Sequence, residues 1–324
     1  MKIKFLILPL IIIPLTSCQK ELKRNSFYFD TYTDTKLFEG NETDLENIDK
    51  IFKKIDKLTD NFQARDLNNV FTINNSTESV QVESELYEVL KASFCNCLDQ
   101  LNYYNPLIGS LSKKWKNSLE NKVILPQETI NLELTKMATT TVQFLEDNCV
   151  KKVGDAEIDL GAIAKGYALD KVKQYLDSKN YSRYLIDAGS SSLLLGEKNG
   201  GKEFKVKISN LDNAFLNLKN CFISTSSYDR QAVEIDGVNY SHIINPKTGS
   251  AINENDAVIV ISNKGYLGDI LSTAFINESI DSIKELEAHY EVKTIVIKNK
   301  VVVYKNEGIE ITNKWEKRYE MTSF

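Results

Sequence analysis

Histidine is nearly absent: His242 and His289 are the only two in a chain of 324 residues. That scarcity sets aside metal chemistry built on several imidazoles. A basic surplus is also missing, because 40 Lys and Arg stand against 45 Asp and Glu for a net charge of -5. Such a chain lacks the cationic excess that neutralises a phosphate backbone, so nucleic acid is not an expected partner. No segment repeats at a fixed period and no low-complexity linker appears, which speaks against a solenoid or a string of tethered domains. Cysteine is sparse, with five in all. Cys95 and Cys97 fall in "LYEVLKASFCNCLDQL", read as part of a helix from about Ser84 to Leu101, where residues two apart do not face each other. With Cys149 and Cys221 they are expected as buried free thiols, since a Cys-x-Cys without a second pair or nearby His is not a zinc motif.

The amino terminus, "MKIKFLILPLIIIPLTSCQK", has Lys2 and Lys4, an apolar run from Phe5 to Leu15 and then small residues, the arrangement of a secretory signal. The run is too short to cross a bilayer. "LTSC" resembles a bacterial lipobox, so Cys18 is expected to be lipidated and to begin the mature chain. This divides the sequence into a lipoprotein signal peptide over 1–17, a polar tether over 18–26 and one domain over 27–324. The domain is then expected in the bacterial cell envelope, lipid-anchored on the extracytoplasmic side of a membrane.

The remainder is ordinary globular sequence, 42% hydrophobic and 26% charged. "FYFDTYTDTKLFEG" reads as a strand. "NETDLENIDKIFKKIDKLTDNF" reads as a helix capped by Asn41, Thr43 or Asp44, with Leu45, Ile48, Ile51, Phe52 and Ile55 on one face. A further helix is expected within "NKVILPQETINLELTKMATTTVQFLEDNCV". Beyond Lys151 strands and turns dominate, with Asp236 and Gly237 placed as a hairpin turn. Two helices, "YLGDILSTAFIN" and "SIDSIKELEAHY", precede a terminal hairpin. The expected class is α+β, a single domain of mixed and antiparallel sheets flanked by helices.

Three stretches concentrate chemistry. "EIDLGAIAKGYALDKV" reads as a short strand running into a helix. There Gly161 and Gly166 permit close approach, helix-start amides suit an anion, Lys165 adds charge and Asp159 can hydrogen-bond a base or ribose. Glycines at such a joint serve equally well as pure structure. "YSHIINPKTGSAI" sets His242 beside a tight turn with Lys247 and Thr248, which is either a turn and no more or a place to meet a phosphate. In "GDILSTAF", Asp269 and Thr273 share a helix face and offer two hard oxygen ligands of the kind Mg2+ prefers. A capping Asp and a Thr bonded to its own helix would read the same.

Taken in order, "DLGAIAKGYALDKV", "STSSYDRQAVEIDGVNYSHIINPKTG" and "GDILSTAF" resemble the FAD:protein FMN transferase family, the ApbE-type flavin transferases. The resemblance runs from about Phe27 to the carboxyl end and implies a T-fold-like ApbE domain. It implies FAD across a cleft between the amino-terminal helices and the strand-rich half, with Asp159, Lys165, His242, Ile243 and Phe29 in contact with it. It implies Mg2+ held by the Ala162 carbonyl, Asp269, Thr273 and Ser272. The implied reaction transfers FMN from FAD to a Thr or Ser hydroxyl of an extracytoplasmic client protein, releasing AMP. FAD hydrolysis to FMN and AMP, and FAD binding without chemistry, are the alternatives; His242 and Asp269 both stand as general-base candidates.

Two segments depart from the family's pattern. "DAGSSSL" puts serines where a second glycine and an acidic residue are usual, and "LNYYNPLIG" leaves Tyr103, Tyr104 and Asn105 in the flavin-facing places. Phe62 is taken as the aromatic residue that follows the first helix.

Overall fold

The computed structural model describes residues 21–228 and 232–312; the stretch expected to be a signal peptide, and Cys18, lie outside the described residues. The chain opens with a hairpin, β1 (Leu22–Tyr28) and β2 (Thr31–Leu37), whose turn residues Phe29 and Asp30 have φ of 53° and 56°. Residues 22–26, expected to belong to the tether, are therefore in a strand, because β2 supplies their hydrogen-bond partners in full register. Helix α1 (Glu42–Thr59) starts at Asn41, whose side chain accepts from the Thr43 and Asp44 amides in a capping box. Short α2 (Val70–Asn74), β3 (Val80–Gln81) and α3 (Ser84–Ser93) follow.

Helix α3 stops well short of Leu101. Phe94 caps it and Cys95 turns extended, so Cys95 and Cys97 are no longer held on one helix and form a disulfide with Cα atoms 5.1 Å apart. The expectation of free thiols there is corrected; Cys149 and Cys221 are free, the first half-buried and the second buried. Next come α4 (Gly109–Glu120), not anticipated from its Ser- and Lys-rich sequence, and α5 (Gln127–Thr139). After β4 (Thr141–Phe144) and β5 (Cys149–Val153) comes α6 (Ala164–Ser178).

The strand-rich half contains β6 (Tyr184–Ala188), β7 (Ser192–Leu195), β8 (Phe204–Lys207), β9 (Phe215–Leu218) and β10 (Cys221–Ser227). It continues with β11 (Val233–Ile235), β12 (Val238–Tyr240) and β13 (Ala257–Ser262). Helices α7 (Gly265–Phe275) and α8 (Ile280–Tyr290) lead to the hairpin β14 (Lys293–Lys298) and β15 (Val301–Lys305). Asp236 and Gly237 do form the turn between β11 and β12, with φ of 51° and 78°.

Eight strands form the main sheet in the order β1-β2-β6-β7-β10-β13-β14-β15. Every neighbouring pair in it is antiparallel, so the mixed pairing allowed for in the sequence is not used. Strand alternation makes two cores from one sheet. Ile186, Leu194, Phe222, Val258, Val260 and Val296 face α1, α6 and α7. Leu185, Leu193, Leu195, Ile223, Ile259 and Ile295 face the other way, where Phe204 and Leu216 of the β8–β9 hairpin cover them. Among the described residues no helix is long and apolar enough to cross a membrane.

Candidate active site

Helix α7 crosses the sheet over β10 and β13, and its amino-terminal glycines let it come close. A Cβ on Gly268 would lie 2.7 Å from Ser262 Oγ and 2.8 Å from Ser224 Oγ. Against α6 the approach is tighter still, since a Cβ on Gly166 would lie 2.1 Å from the Gly265 carbonyl oxygen. Asp170 of α6 caps α7, accepting from the Gly265 and Tyr266 amides at 2.8 Å each. Burial raises the Asp170 carboxyl to about 6; the two amides pull against that, and the nearby Asp269 charge adds to it.

This packing closes Asp269 into the sheet-helix interface. Its Oδ2 accepts from the Gly166 amide at 2.6 Å, and its Oδ1 from Ser192 Oγ at 2.8 Å and Ser224 Oγ at 2.6 Å. Burial pushes the carboxyl upward, while the Lys165 charge and the three donors favour the anion. Gly166 is the third residue of α6, so its amide is one of the helix-start donors without a partner inside the helix, and Asp269 caps it from α7. The Ala162 carbonyl lies just ahead of the helix and accepts no hydrogen bond among the described residues. Beside Asp269 on α7, Ser272 and Thr273 both share hydrogen bonds with Ser226 of β10, at 3.0 and 3.2 Å. One carboxylate, hydroxyls and an open carbonyl are all hard oxygen donors, which fits Mg2+ completing its shell with water and phosphate. Among the described residues no three or more His, Cys, Asp or Glu side chains gather as a metal site.

Lys165 and His242 adjoin this centre. Lys165 Nζ donates to Ser191 Oγ at 2.5 Å, and its charge bears on both Asp269 and His242. The His242 ring is reached by solvent yet enclosed by protein on most sides; that enclosure first, and Lys165 second, lower its pKa to about 4. The imidazole is therefore neutral at neutral pH. Ile243 is buried, its amide donating to Ser241 Oγ at 2.9 Å and its carbonyl accepting from Asn253 Nδ2 at 3.1 Å. In "NPKTG" the Asn245 side chain already accepts from the Lys247 and Thr248 amides, at 2.9 and 3.3 Å, so the turn's own amides are engaged. Lys247 instead reaches Asn102 Oδ1 at 2.8 Å and lies 5.0 Å above the Tyr103 ring.

A second group gathers around Asp159. Residues 157–160 form no strand: both backbone groups of Ile158 bond the Asn74 amide, at 2.7 and 2.9 Å, and "LNYYNPLIG" takes two more. The Asp159 amide donates to the Pro106 carbonyl and the Gly109 amide to the Glu157 carbonyl, both at 2.8 Å. Asp159 Oδ1 accepts from the Gly161 amide at 2.7 Å; burial raises its pKa against that bond and the Lys113 charge. Tyr104 shares a 2.6 Å hydrogen bond with Ser93, its phenol pushed up by burial, and Asn105 Oδ1 accepts from the Leu107 amide at 2.9 Å. Phe62 is 52% exposed beneath the ammonium groups of Lys113 and Lys116 at 5.2 and 4.8 Å. Phe29 lies at the β1–β2 turn, edge-on to Phe52 at 6.4 Å, with its amide donating to Asp56 at 2.7 Å. Among the described residues no hydrogen bond or ring contact joins Phe29 to the other residues expected to contact FAD.

A model of the ApbE family matches residues 29–296. The chain belongs to the ApbE family. The FAD:protein FMN transferase of Klebsiella pneumoniae (strain 342) is 27% identical over 246 residues, 74% of this chain and 76% of that protein. The ApbE protein of Thermotoga maritima has a TM-score of 0.75 at 24% identity, covering 91% of this chain and 97% of its own. Flavin transferase ApbE from Vibrio cholerae has a TM-score of 0.71 at 20% identity, covering 90% and 96%. These structures bear out the expected ApbE-like α+β domain.

Against that ApbE frame, several site residues were not found by reading the sequence. Ser192, Ser224 and Ser226 are the hydroxyls around Asp269, Ser272 and Thr273. The signal for two of them was present: in β10 Phe222, Ser224 and Ser226 alternate onto one face, so a face that should be apolar buries hydroxyls. Asp170 and Lys113 gave no such signal, because nothing local marks an acidic helix residue as the cap of a helix 95 residues later. The ApbE departure at "DAGSSSL" is also visible: Ser190 holds a φ of 57° where the family's second glycine is usual.

Proposed function

We propose that this ApbE-family chain is a Mg2+-dependent FAD:protein FMN transferase, which moves FMN from FAD onto a Thr or Ser hydroxyl of an extracytoplasmic client and releases AMP. The observation that supports the reading is the buried Asp269 carboxylate capping the start of α6 at the Gly166 amide, with the Ala162 carbonyl just ahead of that helix start accepting no hydrogen bond among the described residues. Asp269, the Ala162 carbonyl and Thr273, with Ser272 beside them, would hold the metal. When bound there, Mg2+ neutralises the bridging phosphates and makes AMP a better leaving group.

The protein's own residues bind and orient FAD: Lys165 and Asp159 at its polar parts, and Tyr103, Tyr104, Asn105, Phe29, Phe62, His242 and Ile243 about the flavin. The client oxygen forms a bond to the FMN phosphorus as the bond from that phosphorus to the AMP oxygen breaks, and the hydroxyl proton passes to a base. His242 suits that proton better than Asp269. Its imidazole is neutral and solvent-reached, whereas three donors already occupy the Asp269 carboxylate. Lipidation of Cys18 would hold the enzyme at the membrane surface where envelope clients are met.

The test is to incubate the chain with FAD and Mg2+, with and without a client domain, and follow AMP and FMN separately. Transfer gives AMP together with FMN that stays on the denatured client. Free FMN in its place would make the chain a hydrolase, and bound FAD with no AMP would make it a carrier.

A further inference from the structure

The Asp269 carboxylate has about four lone-pair directions, two on each oxygen. Ser192 and Ser224 together take both directions of Oδ1, and both serines are 1% exposed, so no water competes for that oxygen. Oδ2 receives one donor, the Gly166 amide, and keeps one direction open. On the reading that Asp269 binds the metal, we propose that Ser192 and Ser224 are positioning residues that restrict Asp269 to coordination through a single oxygen and so select a small octahedral cation over calcium.

The reasoning is geometric. Ca2+ accepts bidentate carboxylates and six to eight oxygens in flexible arrangements, whereas Mg2+ requires near-ideal octahedral geometry and is served by one oxygen per carboxylate. Chelation by both Asp269 oxygens would require breaking a hydrogen bond from Ser192 or Ser224 inside a dry interface, leaving a buried hydroxyl unpaired. Each serine comes from a different strand, Ser192 from β7 and Ser224 from β10, and these strands pair directly, with Ser192 opposite Ser224. The clamp is therefore as rigid as the sheet. Rotation of the carboxylate is further opposed by the Gly166 amide, which approaches from α6 on the opposite oxygen.

The experiment uses the FAD-loaded chain, with Mn2+ as an octahedral probe followed by the paramagnetic resonance of the free ion, and Ca2+ as competitor. Wild type, Ser192→Ala, Ser224→Ala, the double variant and Asp269→Ala are compared, each with a thermal melt. The double variant is expected to bind Mn2+ about tenfold or more weakly, as is usual when groups that orient a ligand are removed. Its preference is also expected to move toward Ca2+, so that Ca2+ displaces Mn2+ at a lower ratio than in wild type. An unchanged Ca2+-to-Mn2+ ratio overturns the proposal, whether or not the melt is lowered, because a serine that only supports the fold weakens both ions alike. If the double variant does not fold, the single variants decide on the same ratio. Asp269→Ala binding Mn2+ as wild type does would remove the metal reading itself, an outcome distinct from failure of the serine clamp.

Discussion

His242 combines access to solvent with an environment that drives its pKa down to about 4. Its folded-state value lies below the ordinary 6.5, so between those limits the unfolded chain binds the extra proton. The stability it contributes is present at neutral pH and is lost as pH falls through that window. An NMR titration of the imidazole should give a midpoint near 4. A midpoint at the ordinary value would deny the enclosure. Lys165→Ala removes a cation that lowers His242 and Asp269 alike, so the His242 midpoint should rise in that variant. The same variant should fold normally and bind FAD roughly ten- to a hundredfold more weakly, the worth of a charge-assisted contact. A fluorescence titration showing unchanged affinity would take Lys165 out of FAD binding.

At the level of elements, the α6–α7 crossing decides whether the site exists. Gly166 and Gly265 meet backbone to backbone, and a methyl on Gly166 would come within 2.1 Å of the Gly265 oxygen and 2.4 Å of its carbonyl carbon. Neither atom belongs to a flexible side chain, so the two helices must part. In an ordinary helix interior, Gly to Ala is stabilising by up to about 1 kcal/mol. Here Gly166→Ala is expected to destabilise by roughly 1–3 kcal/mol, as overpacking does, and to weaken FAD binding as Asp269 moves off the Gly166 amide. Urea melts give the sign directly, and a stabilised variant would contradict the crossing. The Asp170 cap acts on the same pair, since it fixes the first turn of the helix that carries Asp269.

At the scale of the whole molecule, the site draws on α6, α7, β7, β10, the turn after β12 and the segment before α4. A ligand that bridges these parts stabilises them together. FAD with Mg2+ at about a hundred times its dissociation constant should add roughly 2.7 kcal/mol, several degrees in melting temperature. EDTA should remove the part of that shift that FAD alone does not give; a melt indifferent to EDTA would speak against the metal. Much of this architecture could be read from the chain alone, because it is written in local periods. The α1 face, the Asp236-Gly237 turn, the helices holding Asp269 and Lys165, and the apolar strands follow from spacing and turn chemistry that neighbouring residues impose on one another. Other features were settled by partners far away in sequence. β2 turns residues 22–26 from tether into strand, and the Asn74 amide and Pro106 carbonyl keep 157–160 out of one. The Gly166 amide, without a partner inside its own helix, is capped by Asp269, 103 residues on. A hydrogen-bonding group takes the partner that packing brings within reach, and for Asp269, Ser192, Ser224 and Asp170 those partners become neighbours only when the helices close on the sheet.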